Sequence, residues 1–186
     1  MVRRGFLTAS FVLALSSTGC SSDPAPASTL KDGYEVGNRL ENHTFTGRKA
    51  GETAHVPFAL ADFKATHQLL VLNVAAGWCS PCKEEAKEIQ NAIAPKYAGK
   101  VAFVSIMLED SARNPATVEN VDNWIKAYSI TTYAVARDPD RWVAKFFDPN
   151  NMPLNVVVDL STMKILSKVI GADLARVQAD IDKNLK

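Results

Sequence analysis

No stretch of this 186-residue chain is apolar over the ~18–20 residues that crossing a bilayer as a helix requires. Charge of one sign is missing too: 21 basic and 20 acidic residues leave a formal net charge of +1, with no Lys/Arg cluster. That balance gives no electrostatic footprint for a nucleic-acid partner. Histidine and cysteine are scarce, at three each. His43, His55 and His67 stand singly in polar or loop-like surroundings and read as solvated or cap-like side chains. The four ligands of a structural zinc site are therefore not at hand. There is no internal repeat.

What is present begins with a leader. Met1-Val2-Arg3-Arg4-Gly5 is a short basic region, and Phe6 to Leu15 is an apolar stretch of about ten residues, the pattern of a signal peptide. Residues 1–19 are read as that signal. Ser17-Thr18-Gly19-Cys20 resembles a bacterial lipobox, with Ser17 where Leu is usual, so Cys20 is expected to carry lipid. The alternative is a soluble secreted protein cut near Cys20. Arg3-Arg4-Gly5-Phe6-Leu7 also matches the core of a twin-arginine signal, and either export route leads to the periplasmic side of a membrane. Ser21 to Thr29, rich in Ser, Pro and Ala, is a spacer that cannot form a core, and residues 20–33 are read as lipidated cysteine and tether. Losing Arg3 and Arg4 with the leader takes the formal charge from +1 to −1. An exported protein with three cysteines would leave one unpaired; lipidation of Cys20 leaves the pair Cys79 and Cys82.

Residues 34–186 have the length of one domain with its own core. Leu69 to Ala76 and Val101 to Leu108 are apolar runs that read as buried strands. Between them Cys82, Ala86, Ile89, Ile93 and Tyr97 recur at helical spacing. Thr117 to Tyr128 predicts a helix with Val118, Val121, Ile125 and Tyr128 inward. Tyr133 to Ala136 predicts a short strand, and Pro139 to Phe147 a short helix. Leu154–Val158 and Ile165–Ile170 predict an antiparallel hairpin. Asp173 caps a last helix with Leu174, Val177, Ile181 and Leu185 inward. The order implies an α/β fold, a central mixed β-sheet flanked by helices on both faces, and it resembles the thioredoxin-like fold.

Trp78-Cys79-Ser80-Pro81-Cys82 lies at the strand-to-helix turn. Positions i and i+3 of a first helical turn share a face, so the two sulfurs can meet. Cys79 falls at or beside the N-cap, where free N–H groups and the helix dipole favour a thiolate. Cys82, one turn inside, is expected to be shielded. Such a pair attacks another disulfide and then resolves the mixed intermediate within itself. A structural disulfide closing so short a loop would stabilise little.

With these residues the chain resembles the TlpA/ResA-type thiol-disulfide oxidoreductases, exported and membrane-tethered relatives of thioredoxin, over about residues 34–186. The resemblance implies that Cys79 is the nucleophile and Cys82 the resolving thiol. It implies that Met152-Pro153 is a cis step facing the thiols, with the backbone of Met152, and Trp78 and Pro81 beside the thiols, meeting the substrate. Glu85, three residues after Cys82, matches a family glutamate expected to relay protons; its plainer reading is a helix-surface side chain. Asn73 stands where thioredoxins carry a buried acid, and reads as a hydrogen-bonded core amide. After Pro153 comes Leu154-Asn155, where relatives usually show Thr, and Ala112-Arg113-Asn114-Pro115 reads as a loop. The implied activity is reduction of protein disulfides in the periplasm. No metal or organic cofactor is implied, because the cysteine pair carries the electrons. The implied partners are a protein thiol or disulfide substrate, a membrane electron donor and, through the lipid, the membrane itself. A thiol peroxidase and a metal-binding module of the Sco type are the rival readings.

Overall fold

A computed structural model describes residues 30–186, so the expected leader, Cys20 and most of the tether lie outside the described residues. Seven strands form one sheet in the order β2-β1-β5-β4-β3-β6-β7. They are β1 (Thr44–Arg48), β2 (Val56–Ala59), β3 (Leu69–Ala76), β4 (Val101–Glu109), β5 (Ala134–Arg137), β6 (Leu154–Asp159) and β7 (Lys164–Ile170). β4 runs parallel to β3 and β5, whereas β6 is antiparallel to β3, and β1 to β5. Every residue of β3 and β4 is buried. Because successive side chains of a strand alternate between faces, both faces of the central sheet must be covered.

The cover is helical. α1 (Ser80–Glu88) packs on β3 and continues through a π-helical turn (Ile89–Ile93) into α2 (Ala94–Lys96). That π-turn falls just before Pro95, which has no N–H to donate to the preceding turn. α3 (Val118–Ala127) lies against β5, and α4 (Leu174–Asn184) against β6 and β7. Caps fall where the side chains dictate: Thr117 accepts from the Asn120 N–H, and Asp173 from the Arg176 N–H.

Two expected elements differ. In α3 Val118 is 40% exposed, while Trp124 is buried beside Val121 and takes the inward place. Val118 is the first residue of α3, in its opening turn. In place of a helix over residues 139–147 there is a 3-10 turn, Trp142–Lys145, preceded by Arg141 in the left-handed region at φ 55°. Asp138 breaks the helix there, accepting from the Val143 N–H at 2.7 Å and holding the chain in a turn. The β1–β2 hairpin and the 3-10 helix Leu60–Ala65 were not expected; they bring Phe45, Phe58 and Leu60 into the core.

The histidines are less solvated than their sequence context implied. His43 stacks on Trp142 at 4.4 Å between ring centroids. His55 Nε2 lies 2.9 Å from Asp122 Oδ1, tying the loop before β2 to α3.

Candidate active site

β3 delivers the chain to the end of the sheet marked by its own C-terminus, and the Gly77–Cys79 turn starts α1 there. Gly77 is required by close approach: a Cβ would lie 2.8 Å from the Ser111 nitrogen. Cys79 is the N-cap of α1, and Cys79 and Cys82 are joined in a disulfide with their Cα atoms 5.3 Å apart. The Cys82 N–H donates to Cys79 Sγ at 3.2 Å. The same N–H and the free amides of the first turn would stabilise a Cys79 thiolate after reduction. Ser80 and Pro81 between the thiols are exposed. The expected difference in shielding is slight in the disulfide form, because Cys79 is 3% and Cys82 1% exposed. Position at the helix start, rather than exposure, distinguishes the two sulfurs.

The opposite wall comes from β6. Its antiparallel register pairs Leu154 with Val74, so the chain just before β6 lies at the end where β3 gives way to the thiols. The Met152–Pro153 peptide bond there is cis. Both residues are buried, and the Pro153 carbonyl accepts from the Gly171 N–H at 2.8 Å.

Beneath α1 a polar row crosses the sheet. Ser105 of β4 and Asn155 of β6 both stand in register with Asn73 of β3. Ser105 Oγ donates to Asn73 Oδ1 at 2.9 Å, and Asn73 Nδ2 donates to Asn155 Oδ1 at 2.9 Å. Glu85 descends onto this row from α1. Its Oε2 accepts from Asn73 Nδ2 at 3.0 Å, and Asn155 Nδ2 lies 3.2 Å from both carboxyl oxygens. Glu85 is 3% exposed, which removes the surface reading. Burial pushes its carboxyl up to about 7, against the opposing pull of the Asn155 and Asn73 amides. The negative charge of Glu88 adds to the rise. A cavity of about 240 Å³ lined by Pro81, Glu84, Glu85, Glu88, Ala172 and Leu174 connects it to the surface. Cys82 and Glu85 lie one helical turn apart, both on the buried side.

On the other flank a second buried carboxylate holds Trp78. The indole Nε1 donates to Glu109 Oε2 at 2.7 Å, and Arg141 donates to Glu109 Oε1 at 2.6 Å. Burial alone would raise this carboxyl, but the hydrogen bonds from Arg141 and Trp78 and the charges of Arg141 and Arg113 hold it below the usual glutamate range. The Arg113 guanidinium lies 3.8 Å above the Trp78 ring and reaches Asn150 Oδ1 at 3.5 Å.

Of the expected site residues, Cys79, Cys82, Trp78, Pro81 and Glu85 are therefore grouped at one turn, with Met152 and Pro153 at the same end of the sheet. Asn73 is the hydrogen-bonded core amide expected of it. Ser105, Asn155, Glu109 and Arg141 were not foreseen. The available signal was a polar side chain inside an otherwise apolar strand, which has to find a buried partner. Among the described residues no group of three His, Cys, Asp or Glu side chains could hold a metal ion.

The comparisons with known proteins agree with this architecture. A model of the AhpC/TSA family matches residues 23–166. No curated protein matches the chain. A DsbF homologue from Corynebacterium diphtheriae superposes with a TM-score of 0.58 at 19% identity, covering 87% of this chain and 97% of that one. A secreted Mycobacterium tuberculosis disulfide oxidoreductase homologous to E. coli DsbE gives 0.53 at 17% identity, covering 75% and 95%. A reduced 2-Cys peroxiredoxin from Plasmodium vivax gives 0.58 at 13% identity, covering 80% and 96%. At such identities these likenesses establish the fold, which is thioredoxin-like. The chain belongs to the AhpC/TSA family.

Proposed function

We propose that this protein is a thiol-disulfide oxidoreductase of the TlpA/ResA kind, reducing protein disulfides on the periplasmic side of a bacterial membrane. The observation that carries the reading is the Cys79–Cys82 disulfide at the start of α1, with the Cys82 N–H on Cys79 Sγ. In the reduced enzyme the Cys79 thiolate attacks one sulfur of the substrate disulfide. A mixed disulfide forms and the other substrate sulfur leaves as a thiolate, which takes up a proton. Cys82 then loses its proton, attacks Cys79 Sγ, closes the internal disulfide and releases the second substrate thiol. Two electrons and two protons pass to the substrate. Glu85, whose carboxyl titrates near 7, is placed to hold the proton that Cys82 gives up. The backbone of Met152, just before Pro153, is offered to the substrate beside Trp78 and Pro81; the Pro153 carbonyl itself is taken by the Gly171 N–H. Regeneration of the dithiol requires a reduced thiol protein, and in this reading the donor is membrane-bound.

Replacing Cys82 by Ser should leave a thiol that accumulates substrate as a stable mixed disulfide, visible on non-reducing gels. Cys79→Ser should not trap. Equal trapping by the two variants would overturn the assignment of roles. The anchor is a separate part of the reading: Cys20 carries lipid, and mass spectrometry of the mature protein should show it acylated. A free Cys20 thiol there would remove the tether from the proposal. Among the described residues no helix is long and apolar enough to cross a membrane.

A thiol peroxidase is the second reading, favoured by the family match and the peroxiredoxin fold neighbour. In that chemistry Cys79 would take an oxygen from a peroxide to give a sulfenic acid and an alcohol or water. Cys82 would then condense with it, releasing water. Against it stands the pair itself, packed into one helical turn with a buried carboxyl behind it. Peroxide consumption by the reduced protein separates the readings.

A further inference from the structure

Arg113 is not part of the redox chemistry proposed above, yet it occupies the flank of the thiol turn. It is presented by a rigid turn: Asp110 Oδ1 accepts from the Ala112 and Asn114 N–H groups at 2.8 Å each, and Asp110 Oδ2 from Asn114 Nδ2 at 3.2 Å. Within that turn Arg113 has left-handed backbone at φ 67°, unusual for a side chain of its size. Its guanidinium carbon sits over Trp78, 3.8 Å from the ring centre. The ring cannot swing away, because Glu109 holds its Nε1 at 2.7 Å.

A guanidinium stacked on an aromatic face is ordered through its π-surface. Its in-plane N–H donors are left free. Here one nitrogen reaches Asn150 Oδ1, at the outer limit of a hydrogen bond. No carboxylate forms a hydrogen-bonded ion pair with Arg113 among the described residues, although Glu109 feels its charge: both oxygens of Glu109 are taken by Trp78 and Arg141, and Asp110 is consumed by its own turn. The side chain is exposed, and so is Asn150. Its contact with Asn150 joins the β4–α3 loop to the loop that leads into Met152–Pro153. The guanidinium thus lies over the residue preceding Cys79 and beside the edge where substrate backbone would be held.

We infer that Arg113 is a specificity-determining residue, a preorganised receptor for a carboxylate on the polypeptide whose disulfide is reduced. The ligand class is an acidic side chain close in sequence to the target cysteine. Ordering an arginine normally costs rotamer freedom on binding; stacking on a fixed Trp78 removes much of that cost beforehand. The planar fork then donates to both carboxylate oxygens, which a point-charge lysine cannot do as well.

The inference rests on the disulfide-reductase reading, and a matched peptide series keeps the two apart. The series consists of short peptides with one intramolecular disulfide, carrying Glu at each flanking position in turn, and the same peptides with Gln. For the wild-type protein, kcat/KM should be about fivefold higher for Glu than for Gln at one favoured position, as expected for a partly exposed ion pair. The preference should shrink with added salt. Arg113→Gln should abolish it, and Arg113→Lys should restore only part of it. Any effect of the lost Arg113 charge on the Cys79 thiolate acts on both peptides and cancels in the ratio. A Glu/Gln ratio near one at every position, or a preference that survives in Arg113→Gln, overturns the inference. Failure to reduce even the Gln peptides would instead overturn the reductase reading.

Discussion

Glu85 and Glu109 flank the same disulfide turn, are 3% and 6% exposed, and come out on opposite sides of the ordinary glutamate range. Burial raises both. For Glu85 the answer to that burial is two neutral amides, Asn155 and Asn73, and the carboxyl still rises to about 7. For Glu109 the answer includes a guanidinium at 2.6 Å, and the carboxyl falls. The difference has two causes: Glu85 lies deeper among packed atoms than Glu109, and its donors are neutral amides whereas those of Glu109 include a guanidinium. It also divides the labour. Glu109 is a fixed anion that orients Trp78, while Glu85 can gain and lose a proton near neutral pH.

The largest test of that contrast is Glu85→Gln. The folded chain holds the Glu85 proton up to about pH 7, whereas an ordinary glutamate releases it near 4.5. Between those values the folded state binds more protons than the unfolded one, so stability falls as pH rises through the window. Its contribution is fully present below about pH 4.5 and lost above about 7, on the order of 3 kcal/mol in all. Denaturant titrations of Glu85→Gln from pH 4 to 8 should lack this falling limb, so the variant gains on the wild type as pH rises. Parallel profiles would show that Glu85 is already ionised and that the amides suffice. Asn155→Val sharpens the same measurement, because removing one amide donor should carry the falling limb to higher pH.

The central architecture was legible because β3 and β4 are continuous apolar runs and α1 begins at a motif with its own geometry. The β1–β2 hairpin was not: Thr44-Phe45-Thr46-Gly47-Arg48 is a short, half-polar strand whose order depends on pairing with β5, far along the chain. Pro139 looked like a helix start, but the carboxylate of Asp138 captures the Val143 N–H and leaves only a 3-10 turn. In the site, Cys79 and Cys82 could be placed from spacing alone, whereas Glu85 stood out only through the family resemblance and read as readily as a helix-surface side chain. Asn73, Ser105 and Asn155 lie on three strands, and their shared row appears only when the parallel and antiparallel registers are both known. Glu109 and Arg141 meet for the same reason, across 32 residues of sequence.

Glu109→Gln tests the other half of the contrast and should have the smaller effect. A Gln at this position offers one acceptor oxygen to two donors, Trp78 Nε1 and Arg141, and turns its own N–H groups toward one of them. One of two charge-assisted hydrogen bonds is lost, but the Arg141 side chain is 42% exposed and recovers solvent. The expected loss of stability is about 1 kcal/mol at pH 7. Because the folded-state titration of Glu109 is depressed, its contribution is present above the ordinary glutamate range and disappears as pH falls through the folded value. The deficit of Glu109→Gln should therefore close on acidification, opposite in direction to the Glu85→Gln profile, and should shrink with added salt. Denaturant midpoints at pH 7 and pH 3 measure this directly. An equal deficit at both pH values would mean that Glu109 holds Trp78 by shape and not by charge, and the opposition between the two glutamates would fail.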